Sequence, residues 1–118
     1  MKQDFRSLVV WQKAIAFVTE LYRATRSFPN EERFGLTSQL RRASVSIPSN
    51  IAEGQGRLTR GEFRQFLGHA KGSICEVETQ LTIAHNLVYL NELAVLLEKL
   101  HEVARLLNGL LNSLATEN

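Results

Sequence analysis

Leucine recurs every seven residues at Leu93, Leu100, Leu107 and Leu114, with Leu96, Leu97, Val103, Ala104, Leu110 and Leu111 in the adjoining positions. A seven-residue apolar repeat forms a stripe along one side of an α-helix and needs facing helices to cover it. The carboxy-terminal third of the chain therefore demands a bundle. Three upstream segments can supply the cover. From Ser7 to Ser27, Leu8, Trp11, Ile15, Val18 and Tyr22 recur at spacings of three and four, flanked by Ala14 and Leu21, which predicts an amphipathic helix whose core face is that stripe. Phe28-Pro29-Asn30 ends it, because the residue before a proline is pushed out of the α region. A second helix, beginning between Phe34 and Thr37, carries Leu36, Leu40, Ala43, Ile47 and Ile51 on one face. The apolar period continues through Pro48, so one kinked helix is expected rather than two, closed by Gly54-Gln55-Gly56. Thr59, with Glu62 three residues on, is a capping box opening a long third helix to about Leu87. Its stripe is Phe63, Phe66, Leu67, Ala70, Ile74, Val77, Leu81 and Ala84. Asn91 and Glu92 make a suitable start for the fourth.

Four such helices joined by short loops predict an all-α, up-down-up-down four-helix bundle. The 118 residues suffice for one domain, 1–118, and not for two. Seven Gly and two Pro leave too few turn residues for a β-sandwich or barrel of this length. Cys75 is the single cysteine, so no intramolecular disulfide forms and a cysteine-based structural zinc site lacks its ligands. Lys2, Asp4 and Arg6 interrupt the opening residues, unlike a signal peptide, and no apolar run has the length of a membrane span. A cytoplasmic protein with no membrane partner is expected.

Charge is unevenly spread. Through residue 64 there are eleven Lys and Arg against six acids, a balance of +5, and from residue 65 onward three against six, −3. Opposite halves of this kind suit contacts between copies of the chain, and the basic half also suits a polyanion.

The third helix carries two further patterns. At 100° per residue, Gly61, Gly68, Gly72, Cys75 and Thr79 fall nearly opposite its core stripe. Glycine in an exposed helix costs about 1 kcal/mol relative to alanine, so a strip of small residues there points to close approach by another subunit, against the plainer reading of local flexibility. Arg57, Arg60, Arg64 and Lys71 lie beside the strip, and Arg41 and Arg42 on the preceding helix. Guanidinium groups bind phosphate in a bidentate fashion, which makes these six residues candidates for contact with nucleic acid or a partner. A solvated face with salt bridges between subunits is the competing reading.

A set of residues carries a resemblance. Phe5, Leu8 and Trp11, Phe28-Pro29, Phe34-Gly35-Leu36, Gln39, Arg41-Arg42-Ala43, Ser46-Ile47, Asn50-Ile51-Ala52-Glu53-Gly54, Phe66-Leu67, Gly72-Ser73, Glu76, Glu78, Gln80-Leu81 and Tyr89 resemble the four-helix-bundle proteins first found within intervening sequences of bacterial 23S rRNA genes. Its most specific part is the stretch from Arg41-Arg42-Ala43 to Asn50-Ile51-Ala52-Glu53-Gly54. The resemblance implies a ring-shaped homopentamer without enzymatic activity. It also extends to the accessory variability determinants of diversity-generating retroelements, pentamers that associate with nucleic acid and a reverse transcriptase. A net charge of +2 is low for a dedicated nucleic-acid binder.

No motif for catalysis or a cofactor stands above its plainer reading. Glu98-x-x-His101 is half of a di-metal pattern with no second copy. His69 and His85 lie off the core stripe. Cys75 has no activating histidine near it in sequence, and Gly54-x-Gly56 lacks the rest of a phosphate loop and reads as a helix end. Gln39, Ser46 and Asn50 border the second apolar stripe; either they form a recognition pocket with Arg42 and Glu53, or a buried network that satisfies the carbonyl freed by Pro48, the preferred reading. The expectation is therefore a non-enzymatic, cofactor-free, self-assembling bundle that presents a repeated basic patch to RNA, DNA or a nucleic-acid-bound protein. The alternative is a structural or protein-interaction scaffold without nucleic-acid contact.

Overall fold

In the computed structural model, which describes residues 4–115, every regular element is helical. Lys2 lies outside the described residues. The four long helices are α1 (Val9–Thr25), α2 (Leu36–Gln55), α3 (Arg60–Asn86) and α4 (Leu93–Ala115), with short 3-10 turns at Phe5–Ser7 and Asn30–Glu32. They form a rod of 48 × 23 × 20 Å. Each helix runs antiparallel to the next. Lys13 pairs with Glu102 at 3.5 Å and Glu20 with Lys99 at 3.9 Å between α1 and α4; Ser46 meets Ser73 between α2 and α3; Arg41 of α2 reaches Thr25 of α1. Contacts run α1–α2, α2–α3, α3–α4 and α4–α1, closing a square with α2 and α3 the most extensively apposed pair.

The core is the shared inner side of that square. Phe17 and Leu21 of α1, Leu40, Ile47 and Ile51 of α2, Leu67, Val77 and Leu81 of α3, and Leu100 and Leu107 of α4 are all inaccessible or nearly so. Of the leucine heptad, Leu93 and Leu114 are half-buried at the two ends.

The face that α1 buries differs from the one its sequence period suggests. Val10, Ala14, Phe17, Leu21 and Thr25 point inward, whereas Ile15 and Tyr22 are each 39% exposed, and Trp11 and Val18 are half-buried. The apolar arc of α1 is about twice as wide as one core contact needs. The ion pairs of Lys13 and Glu20 fix α4 on one edge of that arc, and the stripe from Trp11 to Tyr22 becomes the opposite edge.

α2 continues unbroken through Pro48, which is buried. Gly54 sits inside the helix rather than ending it, the cap being Gly56. A Cβ on Gly54 would lie 2.8 Å from Phe66 Cβ and 3.0 Å from Phe63 Cδ1, closer than atoms pack, so this glycine is there to let α3 in. Phe63 and Phe66, expected in the core, are accordingly half-buried at the base of the α2–α3 seam. Thr59 caps α3 as its sequence suggests, accepting from the Glu62 amide at 3.1 Å. At the other end of α3 the chain turns through Val88, whose φ is 65°. Amide bonds from Val88 to the His85 carbonyl and from Tyr89 to the Ala84 carbonyl complete a Schellman cap. The left-handed position of such a cap usually belongs to glycine.

Candidate nucleic-acid interface and subunit-facing strip

The six candidate basic residues do not form one patch. Arg41 is committed to the fold: its Nε donates to Thr25 Oγ1 at 2.9 Å, its Nη2 to the Tyr22 carbonyl at 3.3 Å, and its guanidinium stacks 4.6 Å from the Tyr22 ring centre. It thereby ties α2 to the last turn of α1, where a cation also suits the helix dipole. Arg57 is similarly engaged, donating to Glu53 at 3.1 Å and lying 4.5 Å from the Phe66 ring centre, a staple across the turn between α2 and α3. Arg42 is exposed on α2 and lines two shallow clefts, one with Gln39, Ser46 and Glu76 and one with Tyr22, Val45 and Ser49.

Arg60, Arg64 and Lys71 line one side of α3 over about three turns. They share a flank of α3 with Glu78, which lies seven residues beyond Lys71, and all three are exposed. Glu78 Oε1 accepts from His101 Nε2 at 2.9 Å, so this flank is turned toward α4. Arg60 opens the helix, where backbone amides and the macrodipole already favour an anion. Cations at that end gain nothing from the helix itself and reinforce its pull on a phosphate. The same pairing gives His101 a plain role: it joins α3 to α4, with Glu98 exposed beside it.

On α3's outer side, Gly61, Gly68 and Gly72 are as open as their sequence positions suggest: a Cβ on any of them would find no heavy atom of the chain within 4 Å. Cys75 and Thr79 are exposed on the same side. Thr79 donates its hydroxyl to the Cys75 carbonyl at 2.8 Å and Thr82 to the Glu78 carbonyl at 2.9 Å. Their donors are thus used within the helix, and the strip is small and largely apolar in its outward chemistry.

The polar residues that border the second apolar stripe gather along the α2–α3 seam. Ser46 and Ser73 meet there, Ser73 donates to the His69 carbonyl at 3.1 Å, and the Asn50 amide donates to the Ser46 carbonyl at 2.7 Å. The expected buried network is met only in part: Ser46 and Asn50 are half-buried and bonded, Gln39 is exposed, and Asn50 takes the Ser46 carbonyl, whereas the carbonyl that a proline at position 48 leaves without its partner is that of Ser44. Gln80 lies 92% buried in the same helix, with its Oε1 unpartnered among the described groups. At the top of the bundle, Glu32 holds two elements together, accepting from the Leu36 amide at 3.0 Å and from the Tyr89 hydroxyl at 3.1 Å. Partial desolvation, that hydrogen bond and the charges of Glu32 and Glu31 raise the Tyr89 phenol above its ordinary 10.0. Sequence reasoning missed Glu32; its signal was a carboxylate four residues ahead of the first helical position, Leu36.

Among the described residues no group of three or more His, Cys, Asp or Glu is placed to hold a metal ion, and no helix is long and apolar enough to cross a membrane. Comparison with curated proteins finds no match. Residues 6–109, which hold α1 to α3, the seam, the outward strip and α4 as far as Gly109, match the family model described as 23S rRNA-intervening sequence protein; the chain belongs to that family.

Proposed function

We propose that this protein is a non-enzymatic, cytoplasmic assembly module whose copies form a ring, a homopentamer by the family resemblance, and present Arg60, Arg64 and Lys71 from each copy to RNA, DNA or a nucleic-acid-bound protein. The observation that carries the reading is α3 itself. Glycine at three outward positions weakens an exposed helix without serving the fold of the single chain, and one flank of the same helix carries three exposed cations along its amino-terminal half. A repeated contact between copies explains the first, and phosphate the second. The mechanism is multivalency. A patch of three cations is a weak ligand for a polyanion, but several linked copies raise the effective concentration of each next contact.

The test is retention of RNA and of duplex DNA at low salt. The wild type is expected to bind with an affinity that falls steeply as salt rises. Replacing Arg60, Arg64 and Lys71 by Ala is expected to abolish retention while leaving the assembly mass unchanged. No retention of either nucleic acid by the wild type at low salt overturns the nucleic-acid part. The scaffold reading then stands, and it is the one favoured by the engagement of Arg41 and Arg57 within their own chain.

A further inference from the structure

The misplaced stripe of α1 identifies a second surface. Trp11, Ile15 and Val18 of α1 face Val45, Pro48 and Ala52 of α2 across an open groove of about 330 Å³, which Phe5 closes at one end. Toward the top it continues, past Val45 and Ser49, into a cleft rimmed by Tyr22, Arg41 and Arg42. Pro48 is buried and Trp11 packs against the edge of the core, but Ile15 and Val45 stay 39% and 40% exposed, because α1 and α2 meet the core chiefly through Phe17, Leu21, Leu40 and Ile47. We propose that the groove receives the α3 strip of a second copy of this chain. The proposal rests on the self-assembly reading above and assigns its two faces.

Three matches support this occupant. The first is shape and length. A groove walled by large side chains accepts a helix whose outward side is Gly68, Gly72, Cys75 and Thr79, because small residues let backbones approach closely. Trp11 to Tyr22 and Gly68 to Thr79 cover the same number of residues, each about 17 Å at 1.5 Å per residue.

The second match is height. In a ring whose axis runs along the bundle, rotation from one copy to the next leaves height unchanged, so touching residues must be level within the single chain. The Ser46–Ser73 contact fixes the level of α3 against its antiparallel neighbour α2. Counting from it, Gly68 stands level with Ala52, Gly72 with Pro48, Cys75 with Val45 and Glu76 with Arg42, each within one residue. The small residues therefore meet the apolar part of the groove.

The third match is charge. At the level where the groove becomes basic, with Arg41 and Arg42 on its rim, the α2-facing border of the strip carries Glu76, exposed beside Cys75 and lining a cleft with Arg42 of its own chain, while Arg64 and Lys71 lie lower on the opposite border. The whole chain repeats this sign difference, its α1–α2 half carrying the excess of cations and its α3–α4 half the excess of acids. A contact of two unlike faces is heterologous, and such contacts propagate from copy to copy into closed rings or filaments.

The experiment uses two full-length variants. Ile15→Glu puts a carboxylate in the groove at a position already 39% exposed, with Val45→Glu as the parallel variant should the first fail to fold by circular dichroism. Gly72→Arg places a long side chain on the strip where the folded chain has open space. Light scattering is expected to show an assembly for the wild type and single chains for each variant. An equimolar mixture of a groove variant and the strip variant is expected to form a dimer and stop there, because each mixed pair has one intact groove facing one intact strip. Assemblies of wild-type mass in the folded groove variant and the strip variant overturn the assignment of faces while leaving self-assembly standing. Two single-chain variants that fail to pair on mixing overturn the groove-to-strip pairing. A wild type that is itself a single chain overturns self-assembly altogether; in that case RNA retention lost in Ile15→Glu assigns the groove to nucleic acid instead.

Discussion

Gly54 and Gly72 are the same residue in adjacent helices, used for opposite ends. Gly54 is enclosed: a Cβ there would press on Phe66 and Phe63 within contact distance. Gly72 is bare, with nothing of its own chain nearby. One glycine is explained by the fold and the other is not, and the difference separates the surface that folds this chain from the surface left over. Val88 completes the contrast, because it holds the left-handed position where geometry asks for glycine and sequence supplies a β-branched residue.

The contrast is broken most easily at neighbouring residues on opposite sides of α3. Leu67 is fully buried, and Leu67→Ala is expected to cost about 2–5 kcal/mol by lost burial and the cavity left behind. Gly68→Ala, one residue on, should leave chain stability unchanged or higher in the same denaturant titration. A loss at Gly68 comparable to that at Leu67 would mean the strip belongs to the fold. Next comes Gly54→Ala, expected to lose about 1–3 kcal/mol through overpacking against Phe66; a neutral result would show that α2 and α3 can move apart freely.

Gly72→Ala is expected to move the other way. Measured on dissociated chains, it should gain about 1 kcal/mol of helix stability while weakening association, so that stability and assembly change in opposite directions. Val88→Gly relieves a left-handed conformation that costs an L-residue roughly 1–2 kcal/mol, less what glycine loses in chain entropy, for a net gain of about 1 kcal/mol in thermal unfolding. The smallest effect concerns pH. The folded chain holds the Tyr89 proton more tightly than the unfolded chain does. That contribution is complete below the unfolded value of 10.0 and is lost as pH rises through the raised folded value. Tyr89→Phe should therefore flatten the decline in unfolding temperature on the alkaline side and leave the neutral range unchanged in slope.

How much of this was legible in the sequence follows from what periodicity can and cannot resolve. Spacing of three and four locates helices well, because burial selects residues on one side of a cylinder; Thr59 and the run through Pro48 were readable for that reason. Choosing a face is harder when a helix is apolar over half its circumference. On α1 the stripe from Trp11 to Tyr22 and the stripe from Val10 to Leu21 have equal claims, and only the position of α4 decides between them. Gly54 shows a second limit. Glycine near a helix end and glycine at a close crossing look alike until the partner helix is placed. The outward strip of α3 was readable because it needs only one helix. The basic residues were readable as residue types but not as a patch, since Arg41 and Arg57 are drawn into contacts with Thr25 and Glu53 that lie on other helices or another turn.

On the proposed assembly, the chain has one face for its own core and two more for its copies. The mixing of Ile15→Glu with Gly72→Arg tests it most directly by light scattering. Two populations of single chains that combine into a dimer on mixing and go no further are expected. Two variants that stay single when mixed, or that both keep the wild-type assembly, would contradict it.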